Sequence, residues 1–329
     1  MTKPLAAFLA LALAPLAALA QLTPDRTYYG VRRAVPMTIA VPAGAAGEVS
    51  VALLSPKDAS VIQSAPASAG SVDLQSLFPN LWATPTLSYA QLMVGEEKVG
   101  PAVVLQPLVN PPYARLKSST GQVTTDPRAG RIAWDSEGTA FSGFRAWTDR
   151  HVVFETSLGE VEFRMRPEHA PNSCWNFMQL AAGGFYTDIQ FHRILAKHPS
   201  GEPFVIQVGD PTGTGEGGPG YAFDLERSTM EHDFGVLSMA RSSEPNSNGS
   251  QIFVCMSRTA TRHLDGNYTA FGETVRGVET LMALISVPTD ENGRPADPPV
   301  LRSARLVDAP PWGTGPARAT KPPASDPGR

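Results

Sequence analysis

The apolar runs of this chain are short, and turn residues close each of them off. Pro36–Val41, Val49–Leu54, Ser88–Val94 and Ala102–Leu108 are alternating or continuous β-prone stretches. Spacers such as Gly44-Ala-Ala-Gly47 separate them. Runs of this length with period-two character fold as antiparallel strands, not as helices. A small β-sandwich-like domain over residues 21–110 is the expected result. The 31 prolines and 29 glycines fit a chain with many turns. Residues 111–147 mix Ser, Thr, Gly, Pro and Arg and read as a connecting segment with room for a strand or two.

A second unit is expected over residues 148–308. His151–Ser157 and Val161–Met165 alternate around Leu158-Gly159-Glu160, which marks a hairpin. Cys174–Ala182 has helical spacing, with Pro171 suited to its first turn and Gly183-Gly184 to its end. A second helix is expected from about Val278 to Ile285, and a closing strand from Val300 to Val307. The remainder, 309–329, is rich in Pro, Gly, Ala and charge and reads as a disordered tail despite Trp312.

The first twenty residues read as an export signal. Lys3 is followed by an apolar run over Leu5–Leu19, and Ala18-Leu19-Ala20 gives the small-x-small pattern of a cleavage site before Gln21. The run is shorter than the ~20 residues that span a bilayer. The expectation is therefore a protein without a membrane span, placed in the periplasm or outside the cell. A net charge of −4 gives no basic field for nucleic acid. The six histidines and two cysteines show no metal-ligand spacing, so neither metal nor cofactor is expected. Cys174 and Cys255 read as small buried thiols, and the chain as a monomer.

Four strings remain: Phe191-His192-Arg193, Phe204–Asp210, Asn246–Phe253 and His263–Gly272. They set one arginine and one glutamine among apolar and aromatic positions, with no nucleophile–base pair. Such a set can hold an apolar group and donate hydrogen bonds, and it does not form a covalent intermediate. Taken singly, the aromatic and aliphatic residues could be core, Arg193 an ion-pair partner and Gln207 a solvated strand residue. Alternation puts His192 on the strand face opposite Arg193, where a structural, hydrogen-bonded histidine is expected. Gly213–Gly218 matches a dinucleotide fingerprint by letter, but Pro219-Gly220 follows where a helix would have to open.

From His151 to Asp308 the order of these motifs resembles the cyclophilin family of peptidyl-prolyl isomerases. The resemblance implies a mainly β fold, a closed eight-stranded antiparallel β-barrel capped by two helices. It implies prolyl-containing polypeptides as partners, Arg193 as the catalytic arginine and Gln207 as the residue that orients it. It further implies Phe204, Val205, Phe253 and Leu264 as walls of a proline pocket, with Ile252 beside them and His263 and Tyr268 at the rim. Ala240 and Arg241 match the segment that meets the substrate backbone. His263, Tyr268, Val208, Arg241 and the long loop Ala196–Pro203 depart from the usual pattern and bear on specificity. The expected function is prolyl cis-trans isomerisation on exported proteins. The rivals are a proline-peptide-binding module without turnover and an adhesion or carbohydrate-binding protein acting through the N-terminal domain.

Overall fold

The computed structural model describes residues 21–41, 47–136, 138 and 140–323. The expected export segment, residues 1–20, lies outside them. The N-terminal unit has two packed antiparallel sheets. Gln21–Pro24, Pro36–Ala40 and Gly70–Asp73 form a three-stranded sheet. The larger sheet runs Tyr28–Gly30, Phe141–Thr148, Glu97–Val109, Ser88–Val94, Val49–Leu54, Val61–Pro66. The strand Phe141–Thr148, inside the expected connecting segment, thus sits in the larger sheet between Tyr28–Gly30 and Glu97–Val109. Its main partners are far away in sequence, so local pattern alone could not assign it. The rest of that segment forms a separate hairpin of Ala114–Lys117 with Arg131–Trp134.

The central strands of the larger sheet are buried on both faces. Val51, Leu53, Ala90, Leu92, Val103, Leu105, Phe144 and Ala146 pack toward the three-stranded sheet, against Leu22, Met37 and Ile39. The alternate residues Ala52, Leu54, Tyr89, Ala102, Val104 and Trp147 join the core of the second unit. A strand apolar on both faces needs a covering layer on each, which explains why Val-Ala-Leu-Leu and Ala-Val-Val-Leu run without polar interruption. Polar bonds fix the junction. The Tyr89 hydroxyl donates to Glu168 Oε2 at 3.0 Å, and Gln106 Nε2 and Arg145 Nη1 both donate to Asn172 Oδ1.

The second unit has one antiparallel sheet, in the order Ile189–Gln190, Val300–Asp308, Arg150–Thr156, Gly159–Met165, Ala270–Arg276, Val236–Met239, Ile252–Cys255, Val205–Val208, Arg193–Leu195. Its two end strands are halves of one segment, interrupted only by Phe191 and His192. The first half pairs with Val300 and Leu301, the second with Val205 through Gln207. One interrupted strand therefore closes the sheet into an eight-stranded barrel, as expected. Helices Pro171–Ala182 and Val278–Ile285 pack against the barrel core, which Phe154, Phe163, Phe177, Tyr186 and Phe271 dominate. The N-terminus of the first helix is capped by a distant side chain. The half-buried Glu226 carboxylate accepts from the N–H groups of Asn172 and Ser173 and from the Ser173 hydroxyl. Cys174 and Cys255 are buried free thiols.

The tail differs from expectation. Residues 309–323 are laid down on the protein. The Trp312 ring stacks on Tyr89 with centroids 3.8 Å apart. Its indole N–H donates to Ser55 O, and its backbone N–H donates to Oε1 of the fully buried Gln91. Further along, the Ala319 N–H donates to Thr274 O and Arg318 pairs with Asp233. Side-chain anchors hold this segment in place of a backbone ladder, so its composition carries no periodic signal.

Asp149, where the two units meet, is 4% exposed. Burial, and then the nearby Glu168 charge, push its carboxyl up to about 7. The unfolded chain ionises this group near pH 4 while the folded chain keeps its proton. Stability present below that pH is therefore lost as pH rises to about 7, and the curve is flat above it. Asp149→Asn is expected to remove this slope and to be more stable than the parent at pH 8 by on the order of 2 kcal/mol. Denaturant melts at pH 4.5 and 8.0 check this; equal pH dependence in both proteins would refute it.

Candidate active site

Arg193 lies directly opposite Gln207 in the antiparallel register, and Gln207 opposite Phe253. Period-two alternation brings Val205 to the same face, so three adjacent strands present Arg193, Gln207, Val205 and Phe253 together. Leu264, from the short turn Arg262–Leu264, closes one side. These residues, with Phe204, Ala240, Arg241 and Tyr268, line a pocket of about 120 Å³. That is about four times a water molecule's share of liquid volume, the scale of a five-membered ring.

The pocket is apolar at its base and polar at its mouth. Val205, Phe253 and Leu264 are buried, and Tyr268 meets Phe253 edge-on at 5.8 Å. Phe204, His198 and the exposed His263 form a cluster of three near-parallel rings, with centroids 5.1 Å (Phe204–His198), 5.6 Å (Phe204–His263) and 6.1 Å (His198–His263) apart. At the mouth Arg193 is exposed, and among the described residues its side chain makes no hydrogen bond or ion pair with a protein group. Gln207 is held instead: its Nε2 donates to Gln251 Oε1 at 2.8 Å.

The cyclophilin type peptidyl-prolyl cis-trans isomerase/CLD family matches residues 151–306. Peptidyl-prolyl cis-trans isomerase-like 1 of Emericella nidulans is 40% identical over 163 residues, 48% of this chain and 95% of that protein. Peptidyl-prolyl cis-trans isomerase ppi1 of Schizosaccharomyces pombe is 41% identical over 153 residues, 45% of this chain and 93% of its own length. This chain belongs to the cyclophilin family. It is a peptidyl-prolyl cis-trans isomerase. A solved cyclophilin of Cryptosporidium parvum, crystallised in the presence of the dipeptide Ala-Pro, is 36% identical. It covers 48% of this chain and 98% of its own, with a TM-score of 0.44.

In this cyclophilin the glycine loop is organised around Asp210, and among the described residues no helix opens directly after it. Oδ1 of Asp210 accepts from the Thr212 N–H and hydroxyl, and Oδ2 from the Gly215 N–H. Burial works to raise the Asp210 pKa, but hydrogen bonds from Thr212, Gly217 and Gly215 outweigh it and hold the carboxyl below the usual carboxylate range. A Cβ at Gly217 would lie 1.9 Å from Asp210 Oδ1, so this position of the loop excludes any side chain. Gln251 Nε2 then donates to the carbonyls of Gly215 and Gly217. A continuous hydrogen-bond chain therefore runs from the loop through Gln251 to Gln207. Gln251 lies within the Asn246–Phe253 string, and only the fold shows which carbonyls it reaches.

Two expectations need correction. Ile252 is fully buried in the barrel core and does not line the pocket. It neighbours Phe253 on a strand, and adjacent strand residues face opposite ways. His192 is on the face away from Arg193 and buried, as alternation requires, but neither ring nitrogen has a protein hydrogen-bond partner. It packs under Gly215, and burial pushes its pKa down, which favours the neutral ring. Arg241 is held by the carbonyls of Asn267 and Ser242 and lies over the Tyr268 ring at 4.5 Å.

Proposed function

We propose that the pocket beside Arg193 is where this isomerase holds the prolyl ring, and that Arg193 is the catalytic group. Rotation about a peptide bond is resisted by ~18–20 kcal/mol because the nitrogen lone pair is delocalised into the carbonyl. Before proline the two isomers differ by only ~0.5–1 kcal/mol, so a catalyst need change only the rate. It must hold the twisted state more tightly than either planar state. Val205, Phe253 and Leu264 fix the ring, while the acyl side of the bond is left free to turn. Donation from the Arg193 guanidinium toward the prolyl nitrogen strengthens as that nitrogen loses conjugation. An arginine keeps its charge and presents rigid donors, which suits this better than a lysine.

The observation that carries this reading is an exposed arginine without a protein partner, set across from a fixed glutamine at the mouth of a ring-sized apolar pocket. Gln207 orients the substrate backbone, and Gln251 holds Gln207 as a positioning residue. Gln251→Ala is expected to lower kcat/KM about tenfold, chiefly through kcat, because it loosens geometry and leaves the ring pocket intact. Gln251→Glu retains an acceptor for Gln207 Nε2 but sets a carboxylate oxygen against the Gly215 and Gly217 carbonyls, so it should not recover that loss. NMR exchange on a short Ala-Pro peptide reads both, and an unchanged Gln251→Ala rate would remove Gln251 from this role.

The clients we propose are exported polypeptides. The charged start at Lys3, the apolar run and the Ala18-Leu19-Ala20 pattern support this. Mass spectrometry of protein recovered outside the cytoplasm should find Gln21 as the N-terminus; an intact Met1 start there would count against it. No observation among the described residues favours a module without turnover.

A further inference from the structure

The hairpin of Ala114–Lys117 and Arg131–Trp134 lies outside the segment that matches the family, yet it stands beside the prolyl pocket. Two contacts fasten it there. Asn246 Nδ2 donates to Ala114 O at 2.9 Å, and the Arg227 guanidinium lies over the Trp134 ring at 5.3 Å. Between hairpin and barrel is a cavity of about 570 Å³. Leu116, Pro127 and Ile132 of the hairpin side face Leu264 and Tyr268 of the prolyl pocket across it. Leu264, Tyr268 and Arg241 line both cavities, so the two adjoin.

The charge in this cavity has one sign. Arg131 and Arg241 line it, His263 stands beside them, and no carboxylate is among its lining residues. Among the described residues the exposed Arg131 side chain makes no hydrogen bond or ion pair. Arg241 spends its bonds on neutral carbonyls, which position its charge without cancelling it. Glu244 acts on Arg241 from outside the lining. On the other side of the prolyl pocket a cavity of about 420 Å³ shares Arg193 and Arg241 and carries Glu216. The two flanks thus differ in charge, with Arg131 and Arg241 and no lining carboxylate on the hairpin side, and Arg193 and Arg241 beside Glu216 on the other.

We infer that the hairpin forms the outer wall of an extended client groove, and that this groove selects polypeptides bearing an acidic residue within about four positions of the proline on one flank only. This rests on the assignment of the ring pocket to the prolyl residue. An extended segment advances about 3.3 Å per residue, so a few residues beyond the ring suffice to enter the second cavity. Its apolar wall covers the segment's side chains, and Arg131 with Arg241 meets the carboxylate.

The test uses the full-length protein and nine-residue peptides centred on Ala-Pro, with Glu or Lys placed two, three or four positions to either side. NMR exchange gives kcat/KM for each. On one flank Glu is expected to exceed Lys about fivefold at low salt, the preference shrinking as salt screens the contact. Arg131→Glu should invert the preference and Arg131→Gln should reduce it to below about twofold; two substitutions at one exposed position guard against a folding artefact. A Glu-to-Lys ratio of one at every position in the parent, or a ratio that neither substitution moves, overturns the inference. Parent turnover of a neutral Ala-Pro peptide is read separately. Absence of turnover there overturns the ring-pocket assignment itself, whereas turnover with no flank preference overturns only the acidic-client inference.

Discussion

Arg193→Ala is expected to lower kcat/KM on a short Ala-Pro peptide by about 10²–10³, with peptide affinity changed by less than about threefold. The magnitude follows from removing a preorganised donor that strengthens in the transition state, which costs ~2.7–4 kcal/mol elsewhere in catalysis. The asymmetry between rate and affinity follows from the geometry. The ring is held by Val205, Phe253 and Leu264, which the substitution does not touch. The Arg193 side chain makes no bond to the protein, so removing it leaves no orphaned partner and fold stability should be unchanged. Arg193→Lys keeps the charge and loses the rigid fork of donors, so it should retain more activity than alanine without reaching the parent. Exchange NMR for rate, titration for affinity and a denaturant melt for stability give three independent readings. A parental rate in Arg193→Ala would remove this residue from the chemistry. A rate loss matched by an equal affinity loss would recast it as a binding residue.

Removing residues 310–329 is expected to destabilise the protein by ~4 kcal/mol, and Trp312→Ala alone by ~2–3 kcal/mol, since full truncation of a buried tryptophan costs ~3–5 and this ring is only half-buried. Trp312 covers Tyr89, whose hydroxyl is tied to Glu168, and the loss therefore falls on the contact between sheet and barrel. Deletion goes further than alanine because it also removes the backbone N–H that satisfies Gln91 Oε1, leaving a buried acceptor unpaired. For a chain of this size such losses correspond to a Tm lower by roughly 3–5 °C for the alanine variant and more for the deletion. Calorimetry on both variants checks the order of effects. A deletion that melts with the parent would mean the segment contributes nothing in solution.

The barrel was legible because its evidence is local. Alternation gave the first hairpin, proline and glycine placed the first helix, and motif order gave the strands carrying Arg193, Gln207 and Phe253. Closure was not legible from residues, since it depends on one interrupted strand pairing on both sides, with residues near 206 and near 300. Ile252 was misplaced by adjacency to Phe253, where strict alternation would have assigned it to the core. The anchoring of the tail and the placement of the hairpin at 114–134 were not legible for another reason. Both are fixed by single side chains reaching distant partners, Trp312 to Tyr89 and Asn246 to Ala114, and such contacts leave no periodic trace. Gln251 was in view but silent, because its role lies in which carbonyls the fold brings to it.

The doubly covered sheet bears on substitution as much as on stability. A catalytic barrel that shares Ala52, Leu54, Tyr89 and Trp147 with its neighbour cannot be lifted out as a cassette. Cut before Arg150, it would present Trp175 and its surroundings to water and invite self-association. A change on the outer face of the sheet must therefore suit the barrel that leans on it.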